Sequence, residues 1–175
     1  RHSTATVKGE EKATVINELS FNDKGEIQVT NIDAETTTRQ KRGVRGRIQQ
    51  NAMEDNMDYV GDALQLALAY TYMSKGQLLD FFEKATATEK DGTIEVSGEN
   101  VLKQGDQVTV VIDSETKLFV NKKFSSMLGE DPIDGEITYE KFSSGIVHGD
   151  KTILNLPGKN AVINAKNQDY TQRIQ

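Results

Sequence analysis

The sequence predicts an α+β fold in which a curved antiparallel β-sheet, a half-barrel, packs over a long apolar helix and a second short helix. The segment at residues 59–72, YVGDALQLALAYTY, is almost entirely apolar or small, and a helix of that composition needs cover on more than one side. The surrounding segments are short, rich in β-branched residues and separated by Gly, Asp or Asn, which favours an antiparallel meander. A curved sheet that encloses the helix satisfies both observations.

The N-terminal segments predict a first β-hairpin. Residues 11–21 and 25–32 are β-rich and flank an Asn-Asp-Lys-Gly sequence, which has the chemistry that tight hairpins need. Residues 33–42 show neither helical nor strand periodicity, so we expect them to form a loop or an edge extension of this hairpin.

Two helices are predicted to follow the hairpin. From about Gln49, apolar residues recur at intervals of three and four, and this pattern predicts a helix that ends near Met73. Ser74 is the expected N-cap of a second, shorter helix over residues 77–85. The recurring apolar residues of the first helix are Met53, Met57, Val60, Leu64, Leu68 and Tyr72.

The rest of the chain predicts short strands joined by turns. Val108, Val110 and Ile112 alternate with Thr109 and Val111, so one face of that strand is apolar. Residues 113–116, DSET, predict a hairpin turn whose Asp and Ser side chains hydrogen-bond the turn backbone. The predicted strands cover residues 93–96, 107–112, 117–124, 136–142, 151–156 and 160–165.

Length and charge indicate a single domain that does not bind nucleic acid. A chain of 175 residues with 35% hydrophobic content can form one domain over residues 1–175, with residues 1–4 expected to be a disordered or processed terminus. The formal net charge of -6 argues against a phosphate-backbone partner. No transmembrane segment is expected, because Asp62 and Gln65 interrupt the longest apolar run.

No residue pattern points to catalysis, a metal or a cofactor, so we expect a non-enzymatic protein without cofactors. The chain has no cysteine, and neither histidine lies in the predicted helices, where carboxylate-bound di-metal sites place theirs. His148 is interpreted as a turn residue, since no G-x-S-x-G motif supports a triad. Residues 91–92 and 131–136 lack the ligand spacing of a calcium loop and are interpreted as hairpin loops.

A basic segment precedes the long helix. Arg39, Arg42, Arg45 and Arg47 are interspersed with glycines, so guanidinium groups and backbone amides could surround an anion there. The segment is interpreted either as a solvated loop or as a binding site for an acidic protein surface, a phospholipid head group or an anionic membrane face.

Apolar side chains of the helices and strands could line a ligand pocket or fill a core. Core filling is the usual role of any one such residue, whereas a pocket becomes plausible for the whole set because the helix also contributes alanines that leave space. The candidate lining residues are Leu64, Leu68, Tyr72, Phe81, Phe82, Val110, Ile112 and Phe119.

The order of hairpin, long helix, short helix and antiparallel strands resembles the lipoprotein-carrier superfamily of LolA-, LolB- and LppX-like half-barrels. Residues 108–118, VTVVIDSETKL, are similar to the strand, Asp-x-x-Thr turn and strand typical of those sheets. The resemblance covers roughly residues 5–165. It implies an exported bacterial protein whose concave sheet, closed by helices, receives acyl chains.

Two functions therefore remain open. The first is an exported, periplasmic or cell-envelope carrier that binds a lipid or an acylated protein on the concave face of the sheet. The second is a cell-envelope structural or interaction module with a filled core and no ligand. This second function predicts a partner contact at a sheet edge or at the basic segment, with an envelope protein or an anionic membrane surface as the partner.

Overall fold

A computed structural model describes residues 1–7, 10–21, 27–36, 44–141 and 145–168, and side chains at 1, 3–4, 14–20, 27–30, 58–141 and 145–168. The predicted α+β class, with an antiparallel sheet and two helices, is confirmed. The sheet has ten strands, all paired antiparallel. They are β1 (His2–Val7), β2 (Glu10–Phe21), β3 (Ile27–Thr36), β4 (Thr86–Lys90), β5 (Thr93–Glu99), β6 (Gln107–Asp113), β7 (Phe119–Leu128), β8 (Asp131–Lys141), β9 (Val147–Leu156) and β10 (Ala161–Lys166).

The helical segment connects the two edge strands of the sheet. That order is β3-β2-β1-β10-β9-β8-β7-β6-β5-β4, so every pair except β1–β10 joins strands consecutive in sequence. Between β3 and β4 the chain forms helices α1 (Val44–Thr71) and α2 (Lys75–Lys84). Because β3 and β4 lie at opposite ends of the order, this segment must traverse the sheet, and α1 packs against β7, β8 and β9.

Several predicted boundaries differ from those observed. The predicted first hairpin forms as β2 and β3, although its turn at residues 22–26 lies outside the described part of the chain. Residues 2–4, which we expected to be disordered, belong to β1. Residues 131–136, interpreted as a hairpin loop, begin strand β8 instead. Strands β1 and β4 were not predicted because they carry few large apolar residues.

The predicted turn at residues 113–116 is present between β6 and β7. Asp113 Oδ1 accepts hydrogen bonds from the backbone nitrogen and the hydroxyl of Thr116, both at 2.7 Å. These bonds hold the pKa of the Asp113 carboxyl below its usual value. Lys117 in this turn has a φ of 59°, which is a left-handed conformation. The backbone nitrogen of Lys117 donates to the carbonyl of Asp113, and the backbone nitrogen of Asp113 donates to the carbonyl of Leu118.

Helix α1 is long, but it is not apolar along its whole length. Residues 44–58 are largely polar in sequence, and a stripe on the second half is exposed. Leu66 and Leu68 are both buried, although residues two positions apart in an α-helix are separated by roughly 200° around the helix axis. Opposite sides of the helix are therefore covered, as its composition predicted. The exposed stripe consists of Asp58, Gly61, Asp62, Gln65 and Ala69.

The corner between the two helices is fixed by a capping box. Ser74 Oγ accepts a hydrogen bond from the backbone nitrogen of Gln77 at 3.3 Å, and the Gln77 side chain accepts one from the backbone nitrogen of Ser74 at 2.8 Å. Each bond satisfies a donor that the first turn of a helix leaves unpaired.

Replacement of Ser74 by alanine is expected to lower the free energy of unfolding by about 1 kcal/mol. Urea unfolding followed by circular dichroism measures this change. Exposed Ser125→Ala, which removes a hydroxyl from the strand β7 instead, is a control for the loss of a serine side chain. A Ser74→Ala protein as stable as the parent would show that the capping box contributes nothing.

Candidate functional site

One side of α1 packs into a contiguous core with strands β5–β9. The ring of Tyr70 stacks on that of Phe124, with centroids 4.1 Å apart and an interplanar angle of 12°. Leu64, Phe81 and Val110, which we predicted as ligand-lining residues, are buried members of this core. On this side of α1 these residues fill the interior.

The other predicted lining residues of the strands and of α2 lie at the margin of this core. Ile112 and Phe119 are half-buried and pack against it. Phe82 meets Phe81 edge to face but is 38% exposed, so it does not line the interior between α1 and the sheet.

Leu68 and Tyr72 follow Leu64 at successive intervals of four residues along α1, next to the core. Leu68 is buried, yet it is not part of the contiguous core. Nearby, a Cβ added to Gly149 of β9 would lie 2.7 Å from Thr71 Cγ2 and 3.8 Å from Tyr72 Oη. Glycine therefore permits this close approach of α1 to β9. We call the interior around Leu68, Tyr72 and Gly149 the second interior region; it adjoins the main core, because Ile137 of that core lies 3.6 Å from the same added Cβ.

The sheet carries small side chains beside Gly149, and one of them, Ala165, also belongs to the contiguous core. Strand pairing aligns Thr152 of β9, Ala165 of β10 and Ser3 of β1 in one row. Gly149 precedes Thr152 on β9, and a bulge in the pairing of β8 with β9 lies between these two residues. All four residues are buried. We call them the small-residue patch.

Ser3 is the unusual member of the small-residue patch. It is 1% exposed, and its Oγ has no hydrogen-bond partner in the described part of the chain. Its neighbours across the sheet are Ala165 and Val15, neither of which offers a polar side-chain atom. Because a buried hydroxyl without a partner costs free energy, this atom is the clearest polar binding group of the region.

Polar residues border the small-residue patch at the end of α1. The backbones of Arg1 and Asn17 exchange hydrogen bonds of 2.8 and 2.9 Å, and the Asn167 side chain donates to the carbonyl of Gly149 at 2.6 Å. Burial raises the pKa of Tyr72, whereas the positive charge of Arg1 acts in the opposite direction. Arg1 therefore lies close enough to Tyr72 to affect its hydroxyl electrostatically.

A buried lysine binds the C-terminal end of α1. Lys122 Nζ donates to the carbonyl of Tyr70 at 2.7 Å and lies 5.5 Å from the ring centroid of Phe119. Tyr139 donates its hydroxyl to the next carbonyl, that of Thr71, at 3.0 Å. The helix end, which carries partial negative charge and free carbonyls, is thus held by a cation and a phenol from the sheet.

Lys122 has no counter-charge among the side chains that the structure describes. No carboxylate of that part of the chain lies within ion-pair distance of its Nζ, and the residue is 1% exposed. Burial lowers the pKa of Lys122 to about 8. The helix carbonyl and the aromatic faces of Phe119 and Tyr139 stabilise the charge only in part.

A buried aspartate binds the hydroxyl group of the Tyr70 side chain. Tyr70 Oη donates to Asp106 Oδ2 at 2.7 Å, and the same carboxylate accepts backbone hydrogen bonds from residues 101–103. Burial raises the pKa of Asp106, but these hydrogen bonds outweigh it, so the pKa lies below its usual value. The anchor orders the loop between β5 and β6 against α1.

Sequence reasoning missed Ser3, Asp106 and Lys122. Alternation along β7 places Lys122 on the same face as Phe124, and this pattern could have identified it. Ser3 and Asp106 gave no comparable signal, since single polar residues near turns or termini are usually solvated.

The basic segment is only partly within the described chain. Arg39 and Arg42 lie outside the described residues. Arg45 and Arg47 belong to the first turns of α1, whose start at Val44 precedes the predicted one, so the loop interpretation is wrong for these two residues.

The remaining motifs do not assemble a metal site in the described part of the chain. His148 is a buried residue of β9, so its interpretation as a turn residue is wrong. Within the described ranges, no three His, Cys, Asp or Glu side chains are grouped to hold a metal ion. No described helix is long and apolar enough to span a membrane.

No protein-family model matches the chain, and no curated protein or solved structure matches it.

Proposed function

We propose that this protein is a non-enzymatic, exported carrier that binds an acyl chain of a lipid or an acylated protein between α1 and the sheet. The sheet would curve around the helix as a half-barrel, as in the lipoprotein-carrier superfamily, and the protein would act in the bacterial periplasm or cell envelope. The observation that supports this proposal is Leu68, which is buried although it is not part of the contiguous core.

The second interior region has the surface that an acyl chain needs. Leu68 supplies apolar surface from the helix, and the small-residue patch supplies a buried surface of small side chains on β1, β9 and β10. Binding would remove acyl surface from water at about 25 cal/mol per Å². Few polar contacts would be required, so specificity for the chain itself would be loose.

The test is ligand binding by the protein and by a variant with a filled second region. The protein is mixed with the fluorescent apolar probe 1-N-phenylnaphthylamine, which is then displaced by palmitate, and native mass spectrometry counts bound ligand. Leu68→Trp is expected to weaken palmitate binding about tenfold, or about 1.4 kcal/mol, by occupying the ligand volume. Ala69→Trp, on the exposed stripe, is the matched control and should bind as the parent does.

Two results would contradict the carrier proposal. One is the absence of any bound probe or palmitate with the folded parent protein. The other is an equal loss of affinity in Leu68→Trp and Ala69→Trp, since this would place the ligand away from the second region.

A cell-envelope structural or interaction module is the second candidate. The observation that favours it is the filled interior between α1 and β5–β9, where Tyr70 and Phe124 stack and the larger side chains are fully buried. Its partner surface would be an edge such as β4, all of whose residues are exposed, or the basic segment. This candidate becomes the better one when the parent protein binds no apolar ligand.

A further inference from the structure

The small-residue patch differs from an ordinary core surface because it contains a buried polar atom without a partner. A serine, an alanine, a threonine and a glycine meet there on β1, β10 and β9, and the glycine, Gly149, lies against Thr71 and Tyr72 of α1. Ser3 Oγ is the atom without a partner in the described part of the chain. A patch of small residues leaves room, and the unpaired hydroxyl provides a group that a ligand can satisfy.

Two positive charges lie in the region of the patch, and the acidic residue Asp150 directly follows Gly149 in sequence. Arg1 lies two residues before Ser3 in sequence, just outside β1, and its charge acts on the hydroxyl of Tyr72. Lys122 lies in the same row of the sheet, connected through Ile137 and Thr152 to Ala165 and then to Ser3. Both Arg1 and Tyr72 already have interactions within the protein, so a ligand would join existing polar groups.

We propose that the small-residue patch binds the anionic head group of an acyl-chain ligand, a carboxylate or a phosphate. Ser3 Oγ donates a hydrogen bond to the anion, and Tyr72 and Arg1 supply a second hydroxyl and a positive charge at the rim. The acyl chain extends from there along Leu68. This inference rests on the proposed carrier function and adds the class of head group and the residues that select it.

The test compares ligands that share a chain but differ in head group. Palmitate, monohexadecyl phosphate and uncharged 1-hexadecanol displace 1-N-phenylnaphthylamine from the parent protein and from Ser3→Ala. The variant is expected to bind each anionic ligand about tenfold more weakly, because hydrogen bonds to charged groups are the stronger ones. Its affinity for 1-hexadecanol should fall about threefold or less.

Thermal unfolding distinguishes a binding role for Ser3 from a structural one. Ser3→Ala removes a buried hydroxyl that has no described partner, so the ligand-free variant should keep or raise its Tm. The rise of Tm with added palmitate should be smaller than in the parent. Ser20→Ala, at an exposed position of β2, is the matched control and should change neither quantity.

Arg1→Gln provides an independent variant. It should weaken both anionic ligands and leave 1-hexadecanol unchanged. Equal affinity of the parent for all three ligands, or unchanged anion binding by Ser3→Ala, would overturn the head-group site while leaving the carrier function intact. If none of the ligands and no probe binds the parent, the carrier function fails as well.

Discussion

Gly135→Ala is expected to lower the free energy of unfolding by about 3 kcal/mol. A Cβ at this position of β8 would lie 2.1 Å from Phe124 Cε1 and 2.3 Å from Phe124 Cζ. Both distances are far below van der Waals contact, so the ring or the strand must move. Phe124 is buried and stacks on Tyr70, whose hydroxyl is held by Asp106 and Ser126. The ring therefore has no free direction in which to retreat.

Urea unfolding of Gly135→Ala beside Gly61→Ala measures this effect. Gly61 lies on the exposed stripe of α1, and a Cβ there meets no atom within 4 Å. Since alanine favours a helix over glycine by about 1 kcal/mol, this control should be more stable than the parent. Opposite signs for the two glycine substitutions are expected. A loss below about 1 kcal/mol in Gly135→Ala would mean that the Phe124–Tyr70 stack is not tightly packed.

The stability of the protein is expected to rise between pH 8 and pH 10 because of Lys122. Burial lowers its pKa from 10.5 to about 8. Within this window the unfolded chain holds a proton on Lys122 that the folded protein has lost. Stability therefore rises with pH, by up to about 3 kcal/mol over two pH units. Below pH 8 the full cost of burying the charge is present.

Above pH 10 the tyrosines reverse this trend. Burial raises the pKa of Tyr70 and of Tyr139, so the unfolded chain releases protons near pH 10 that the folded protein keeps. The unfolded state then binds fewer protons, and stability falls as the pH increases further. The contribution of Lys122 is thus measurable only between about pH 8 and pH 10.

The variant Lys122→Met tests whether Lys122 causes the rise in stability between pH 8 and pH 10. Its free energy of unfolding, measured by urea titration at several pH values, should lose most of the slope between pH 8 and pH 10. Lys123→Met is the matched control, because Lys123 is the adjacent lysine, is mostly exposed and pairs with Glu136 at 3.7 Å. It should keep the slope of the parent. The same slope in Lys122→Met and the parent would assign the titration to another group.

Local sequence patterns determined part of the secondary structure of this protein. The Asp113 turn, the Ser74 cap, the hairpin of β2 and β3 and the end of α1 near Met73 all follow from side chains that act on their own backbone within a few residues. Alternation also identified the inner face of β6, where Val108 and Val110 are buried. Such interactions are local, so they can be inferred without knowing the fold.

The tertiary structure decided which groups meet. Lys122 reaches the carbonyl of Tyr70, and Gly149 lies beside Thr71, across sequence separations that no periodicity encodes. The order of the strands places Ser3 beside Ala165 at the closure of β1 and β10. Burial of a lysine, an aspartate or a serine depends on what covers it, and the sequence alone treats each of them as solvated. The long helix was therefore evident from its composition, whereas the two different surfaces on its opposite sides were decided by the sheet against which it packs.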